Sequence, residues 1–151
     1  ELEVDNKRGR FAFDPVTAAD RDGEEAIRKL IGERYPEHGI FGEEHGKETG
    51  TSPLTWVIDP IDGTRSFISG VPLWGTLIGL NDGERPVIGL MDQPYIGERF
   101  IGRPGGSELI GPMGTVPLKT SACAKIEDAL IGNTDPAMFN VEDQEGGKNA
   151  K

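Results

Sequence analysis

The chain has 151 residues, 35% of them hydrophobic, with a single cysteine and a formal net charge of −10. That length buries one good core and predicts one domain over residues 1–140, while the excess of acid excludes a nucleic-acid backbone as partner, because the 16 basic residues gather into no run. Cys123 alone excludes a disulfide framework or a cysteine-rich zinc site and is expected to be a buried, inert thiol; with no apolar run near the ~20 residues that span a bilayer and no signal-peptide pattern, the expectation is a soluble, cytoplasmic protein without a membrane partner.

Thr17-Ala18-Ala19-Asp20 has the spacing of a capping box with Asp in place of Glu, and Ala26, Ile27, Leu30 and Ile31 recur at helical spacing. A helix over 18–34 follows, stopped by Tyr35-Pro36, with Glu24, Glu25, Arg28, Lys29 and Glu33 on the opposite face. The stretch 37–53 reads as a long loop whose two histidines, His38 and His45, are solvent-exposed and without a role. Strands are expected over 54–58, 73–80, 86–91, 98–101 and 108–110, joined by turns at Asn81-Asp82-Gly83 and Gly105-Gly106 into an antiparallel meander. A helical turn at 125–129, a strand at 130–133 and a cap at Asp135-Pro136 complete the pattern, and 141–151 is a polar tail expected to be disordered or to mark a cut site. A helix followed by a sheet, with a further strand entering at the end, predicts an α+β layered fold: a largely antiparallel sheet flanked by helices.

The chemistry concentrates in Trp56-Val57-Ile58-Asp59-Pro60-Ile61-Asp62-Gly63-Thr64, where an apolar strand delivers two carboxylates, a glycine and a hydroxyl into one turn. Pro60 stops the strand and lets Asp62 return beside Asp59. Two like charges so close repel unless a cation neutralises them, and an all-oxygen set favours Mg²⁺ or Mn²⁺ over zinc. The carbonyl of Ile61, left unpaired by the turn, is a further ligand, and Glu43 of the pair Glu43-Glu44 completes the shell if the two loops meet. Gly63 and Thr64 open a short helix over 65–69 whose first N–H groups suit a phosphate. A Thr64 hydroxyl that gives its proton to Asp20 forms a relay able to orient and activate a water.

Two competing readings fail on spacing, and a third departs from its pattern by one residue. A calcium loop starting at Asp59 needs Glu at its twelfth position, where Gly70 stands. An aspartyl-phosphate turn has one residue fewer between its acids, and a cysteine phosphatase needs an arginine where Ala129 follows Cys123. An aspartyl-phosphate transferase and a non-catalytic metal-binding or dimerisation module remain as alternatives.

The pair Gly42-Glu43-Glu44 followed by Trp-x-x-Asp-Pro-Ile-Asp-Gly-Thr, together with Asp14-Pro15-Val16-Thr17-Ala18-Ala19-Asp20, resembles the inositol monophosphatase superfamily from Asp14 to about Phe139. The resemblance implies that Glu43, Asp59, the Ile61 carbonyl and Asp62 bind two or three Mg²⁺ ions, that Asp20 and Thr64 activate the water, that Glu44 supports an additional metal or its waters, and that Gly63 with Thr64 holds phosphate. It implies in-line attack by a metal-activated water with no phosphoenzyme, and a homodimer. The continuation Arg65-Ser66-Phe67-Ile68-Ser69-Gly70-Val71-Pro72-Leu73-Trp74-Gly75-Thr76, with Thr120-Ser121 and residues 133–139, is similar to the histidinol-phosphatase branch. L-histidinol phosphate is therefore the small phosphorylated metabolite implied, in histidine biosynthesis, with inositol 1-phosphate or another small phosphomonoester as the alternative. The family's later Trp-Asp-x-Ala-type motif has no counterpart here, so the chain is expected to be an N-terminal sheet domain with the C-terminal layer absent.

Overall fold

The computed structural model describes residues 3–6 and 15–132. The chain divides into two compact units, Glu1–Lys119 and Thr120–Lys151. In the first, β1 (Val4–Asn6) pairs antiparallel with β2 (Pro15–Thr17), which runs directly into α1 (Ala18–Arg34). Asp20 closes the start of α1: one of its carboxylate oxygens accepts both the backbone N–H and the hydroxyl of Thr17, at 2.8 and 2.5 Å, the return half of a capping box. At the other end Tyr35 caps the helix through its N–H to Ile31 O, and Pro36 prevents continuation.

Eight further strands form one sheet: β3 (Gly39–Gly42), β4 (Gly46–Glu48), β5 (Thr55–Asp62), β6 (Gly75–Asn81), β7 (Pro86–Gln93), β8 (Glu98–Arg103), β9 (Gly106–Gly111) and β10 (Gly114–Leu118). Their order is β10-β9-β8-β7-β6-β5-β3-β4. Every pairing is antiparallel except β3 with β5, which run parallel with Gly39 opposite Thr55 and Gly42 opposite Ile58. The expected meander from β5 onward is therefore present and carries one more strand, β10. The expected loop over 37–53 instead contains β3 and β4.

Two local expectations change. Pro60 does not end the strand: β5 continues to Asp62 by way of a bulge, with Asp59 opposite Leu77 and Asp62 opposite Gly75. Two residues of β5, Pro60 and Ile61, oppose one of β6, Thr76, and the proline sits where the ladder is already broken. Opposite Pro60, the Thr76 hydroxyl donates to its carbonyl at 2.8 Å. The 65–69 helix is α2 (Thr64–Ile68), entered from Gly63 with φ +92°, a left-handed conformation in which an added Cβ would stand 2.8 Å from Leu73 O.

The core lies between α1 and the β3–β5 part of the sheet, where Ile31, Ile40 and Ile58 are buried together and Ile27 and Trp56 pack against them. Burying each isoleucine contributes about 1.5–3 kcal/mol. His38 is part of this packing rather than solvent-exposed: its ring stacks on Tyr35 with centroids 5.0 Å apart, and its Nδ1 accepts the Trp56 indole N–H at 3.0 Å. A ring nitrogen that accepts leaves the other to carry the proton, here toward Glu37 Oε1 at 3.4 Å.

In the second unit, the 125–129 turn is a 3-10 helix at Ile126–Asp128. Residues 130–132 are irregular rather than strand, and Asn133, Asp135-Pro136 and the 141–151 tail lie outside the described residues. Cys123 is exposed, not buried, with Sγ 3.2 Å from Lys125 O. Among the described residues, no helix is long and apolar enough to cross a membrane.

Candidate functional site

The parallel β3–β5 pairing brings the two acidic segments together. In a parallel pair the carboxyl ends of both strands lie side by side, so the residue after Gly42 emerges beside the residue after Ile58. The Glu43 N–H extends the ladder by donating to Ile58 O at 3.1 Å. Glu43 and Asp59 then stand within hydrogen-bonding contact through their carboxyl groups, and Asp62, returned by the bulge, is close enough to act on Asp59 by its charge. Burial first, and then Glu43 and Asp62, push the Asp59 carboxyl up to about 7, with the Ile61 N–H opposing the rise.

A carboxyl–carboxyl hydrogen bond needs a proton between the two groups. As placed, no three carboxylate, imidazole or thiolate groups among the described residues surround one point as a metal cage. The donor set nevertheless fits a hard divalent cation. It is all oxygen, and Asp59 is destabilised as an anion first by burial and then by the Glu43 and Asp62 charges, both of which a cation in place of the shared proton offsets.

The Ile61 carbonyl, expected to be unpaired, accepts the Thr64 hydroxyl at 3.1 Å. The same hydroxyl lies 3.3 Å from Asp20 Oδ1, 44 residues earlier in the chain. Asp20 is only 2% exposed, and its other oxygen is held by Thr17, so the oxygen facing Thr64 has a fixed direction. Thr64 stands in the first turn of α2, where a helix supplies no acceptors of its own for its N–H groups. The Asp20–Thr64 pair and the Glu43–Asp59–Asp62 group thus come from α1, the β3 end, the β5 bulge and the start of α2. An open groove of about 490 Å³ on the sheet, lined by Val57, Leu77, Gly79 and Gly89, is also lined by Glu43 and Asp59.

One residue of this region was misread from sequence. Glu24, assigned to the outer face of α1, is fully buried. Its carboxylate accepts the N–H of Glu44 at 2.6 Å and of His45 at 3.1 Å, and the Arg28 Nε–H at 2.7 Å. Burial pushes its carboxyl up, but these hydrogen bonds outweigh burial and hold it below the ordinary range. The available signal was spacing: Asp20, Glu24 and Arg28 lie four apart on one helix face. Gly42 was the other signal, because a Cβ there would overlap the Glu24 carboxylate. His45 is exposed, as expected, with its Nε2 3.2 Å from Arg21 O.

Comparison with known proteins places this arrangement in a family. The model of the inositol monophosphatase family matches residues 1–142. The chain is 42% identical to the chloroplastic bifunctional phosphatase IMPL2 of Arabidopsis thaliana, over 93% of this chain and 42% of that protein. It is 41% identical to a histidinol-phosphatase of Chlorobaculum parvum, over 89% of this chain and 49% of that protein. The crystal structure of the extragenic suppressor protein suhB from Bartonella henselae superposes with a TM-score of 0.67 at 30% identity, over 72% of this chain and 42% of that one. The chain spans less than half the length of these relatives. With the motifs, the sheet and the matched span in agreement, the chain belongs to the inositol monophosphatase family.

Proposed function

We propose that this chain carries the carboxylate and phosphate-binding face of a magnesium-dependent phosphomonoesterase acting on L-histidinol phosphate. The observation that carries the reading is the contact of the Glu43 and Asp59 carboxyl groups with the Asp62 charge acting on Asp59, together with a Thr64 hydroxyl 3.3 Å from Asp20. Glu43, Asp59, Asp62 and the Ile61 carbonyl would hold Mg²⁺, with Glu44 supporting a further ion or its waters. When bound, Mg²⁺ lowers the pKa of a coordinated water and offsets phosphate charge.

The chain's own residues do the rest. Asp20, fixed by Thr17, accepts the Thr64 proton and so turns a lone pair of the Thr64 oxygen outward, where it accepts from and orients the attacking water. Gly63, lacking a side chain, lets the phosphate approach the first turn of α2, whose N–H groups and positive dipole end favour an anion. The histidinol-phosphatase relative and the stretch from Arg65 to Thr76 support the substrate assignment.

The test is Mg²⁺-dependent phosphate release from L-histidinol phosphate and from inositol 1-phosphate, with Asp62→Asn as control. Release from histidinol phosphate that disappears in the variant supports the reading. Preference for inositol 1-phosphate overturns the substrate, and release unchanged by Asp62→Asn overturns the site.

A further inference from the structure

The Glu24 carboxylate holds the backbone of the turn that presents Glu43 and Glu44, and Glu24 is not among the residues that line the groove. We infer that Glu24, clamped by Arg28, is a positioning residue that sets the Gly42-Glu43-Glu44-His45 turn in its cation-binding conformation. The inference rests on the proposed function for its consequence, but its structural half stands alone.

Three observations carry it. A carboxylate with no exposed surface is costly unless its lone pairs are filled, and Glu24 fills them with two successive backbone N–H groups and one guanidinium N–H. Both N–H groups reach the carboxylate only when the turn aims them to the same side, so the carboxylate favours that geometry. Next, the grip continues past the turn: Arg28 Nη2 donates to Gly46 O, Arg28 Nη1 lies 3.6 Å from Glu48 Oε2, and His45 Nε2 lies 3.2 Å from Arg21 O. One face of α1 thus holds the chain from residue 44 in the β3–β4 connection to residue 48 at the end of β4. Finally, Gly42 leaves room for the carboxylate where any other residue would place a Cβ.

The helix spacing gives this grip a second purpose. Asp20, one turn earlier on α1, fixes the Thr64 hydroxyl, while Glu24 fixes the turn that carries Glu43. The nucleophile-orienting pair and the cation-binding loop are therefore set from one rigid element, by residues that lie four apart, about 6 Å along its axis. Changing Glu24 leaves every proposed ligand in place and alters only where one of them points.

The experiment compares wild type, Glu24→Gln and Gly42→Ala. Glutamine keeps the shape of Glu24 but must turn an NH₂ toward a donor; alanine at Gly42 keeps the carboxylate but displaces it. Amide hydrogen exchange without metal is read at Glu44 and His45, and Mn²⁺ affinity by titration, with Ile31→Val as a control that weakens the core without touching the turn. Both variants are expected to exchange these two amides at least about tenfold faster and to bind Mn²⁺ about 10–100-fold more weakly, while Ile31→Val changes neither. Exchange at these amides unchanged in both variants overturns the clamp. Faster exchange with unchanged Mn²⁺ affinity overturns the positioning role. If wild type itself binds no Mn²⁺ while the exchange result holds, the clamp survives and the metal reading fails.

Discussion

The two ends of the sheet are built by different rules. From β6 to β10 each strand pairs with its sequence neighbour through a short turn, and its charges meet in exposed cross-strand pairs such as Arg99–Asp92 at 2.7 Å and Arg103–Glu108 at 2.6 Å. From β3 to β5, with α1 against it, the pairing is parallel and non-local, one strand is bulged, and charged groups are buried. Buried, directed charge is costly to build and unnecessary for stability. Among the described residues the buried polar side chains are Thr17, Asp20 and Glu24, all at this end.

The comparison can be broken most decisively at Asp62. Asp62→Asn keeps the bulge but removes a ligand charge, and the account expects a loss of Mg²⁺-dependent phosphate release of roughly a hundredfold or more, since metal-borne charge stabilisation is worth several kcal/mol. Next is Gly42→Ala, which overpacks the Glu24 carboxylate; chemical denaturation should show a loss of about 1–3 kcal/mol, whereas Gly89→Ala in the meander, where a Cβ meets nothing within 4 Å, should cost far less.

The acidic group also predicts a pH dependence. In the folded chain the Asp59 carboxyl is pushed up from 3.8 to about 7, so over that window the native state holds a proton that the unfolded chain has released. Stability without metal should therefore fall as pH rises through that window, then level off above it. Mg²⁺ should abolish the slope, and Asp59→Asn should remove it. Glu24 acts in the opposite sense, because its depressed carboxyl contributes stability that is lost as pH drops below its ordinary value of 4.5. The smallest effect belongs to the meander: Arg103→Ala should change stability by about 0.5 kcal/mol or less and leave phosphate release unchanged.

What the sequence reveals follows the same division. The extent of α1 and the meander were legible because their signals are local: apolar spacing, a cap, a proline stop and Asn-Asp-Gly or Gly-Gly turns. β3 and β4 were not, because Gly39–Gly42 and Gly46–Glu48 are short and glycine-bearing, and β3 takes its place in the sheet from a parallel pairing with β5. Pro60 misled for a related reason, since a proline ends a strand unless a bulge absorbs it, and the bulge depends on β6. The residue types at 43, 59, 62, 20 and 64 suggested one cluster from chemistry alone, whereas the parallel register that brings 43 to 59 could not be read locally. Glu24 was hidden because a Glu followed four residues later by Arg looks like a solvated helix pair, and only the turn packed against it reveals a buried clamp.

The central claim is that Glu43, Asp59 and Asp62 hold one divalent cation together, and Mn²⁺ titration of the wild type and Asp62→Asn near pH 7.5, with Mg²⁺ competition, tests it most directly. The account predicts saturable binding that Mg²⁺ displaces and that Asp62→Asn weakens at least about tenfold, in line with the loss of one directly coordinating charge. Equal binding by both proteins, or none by the wild type, would contradict it.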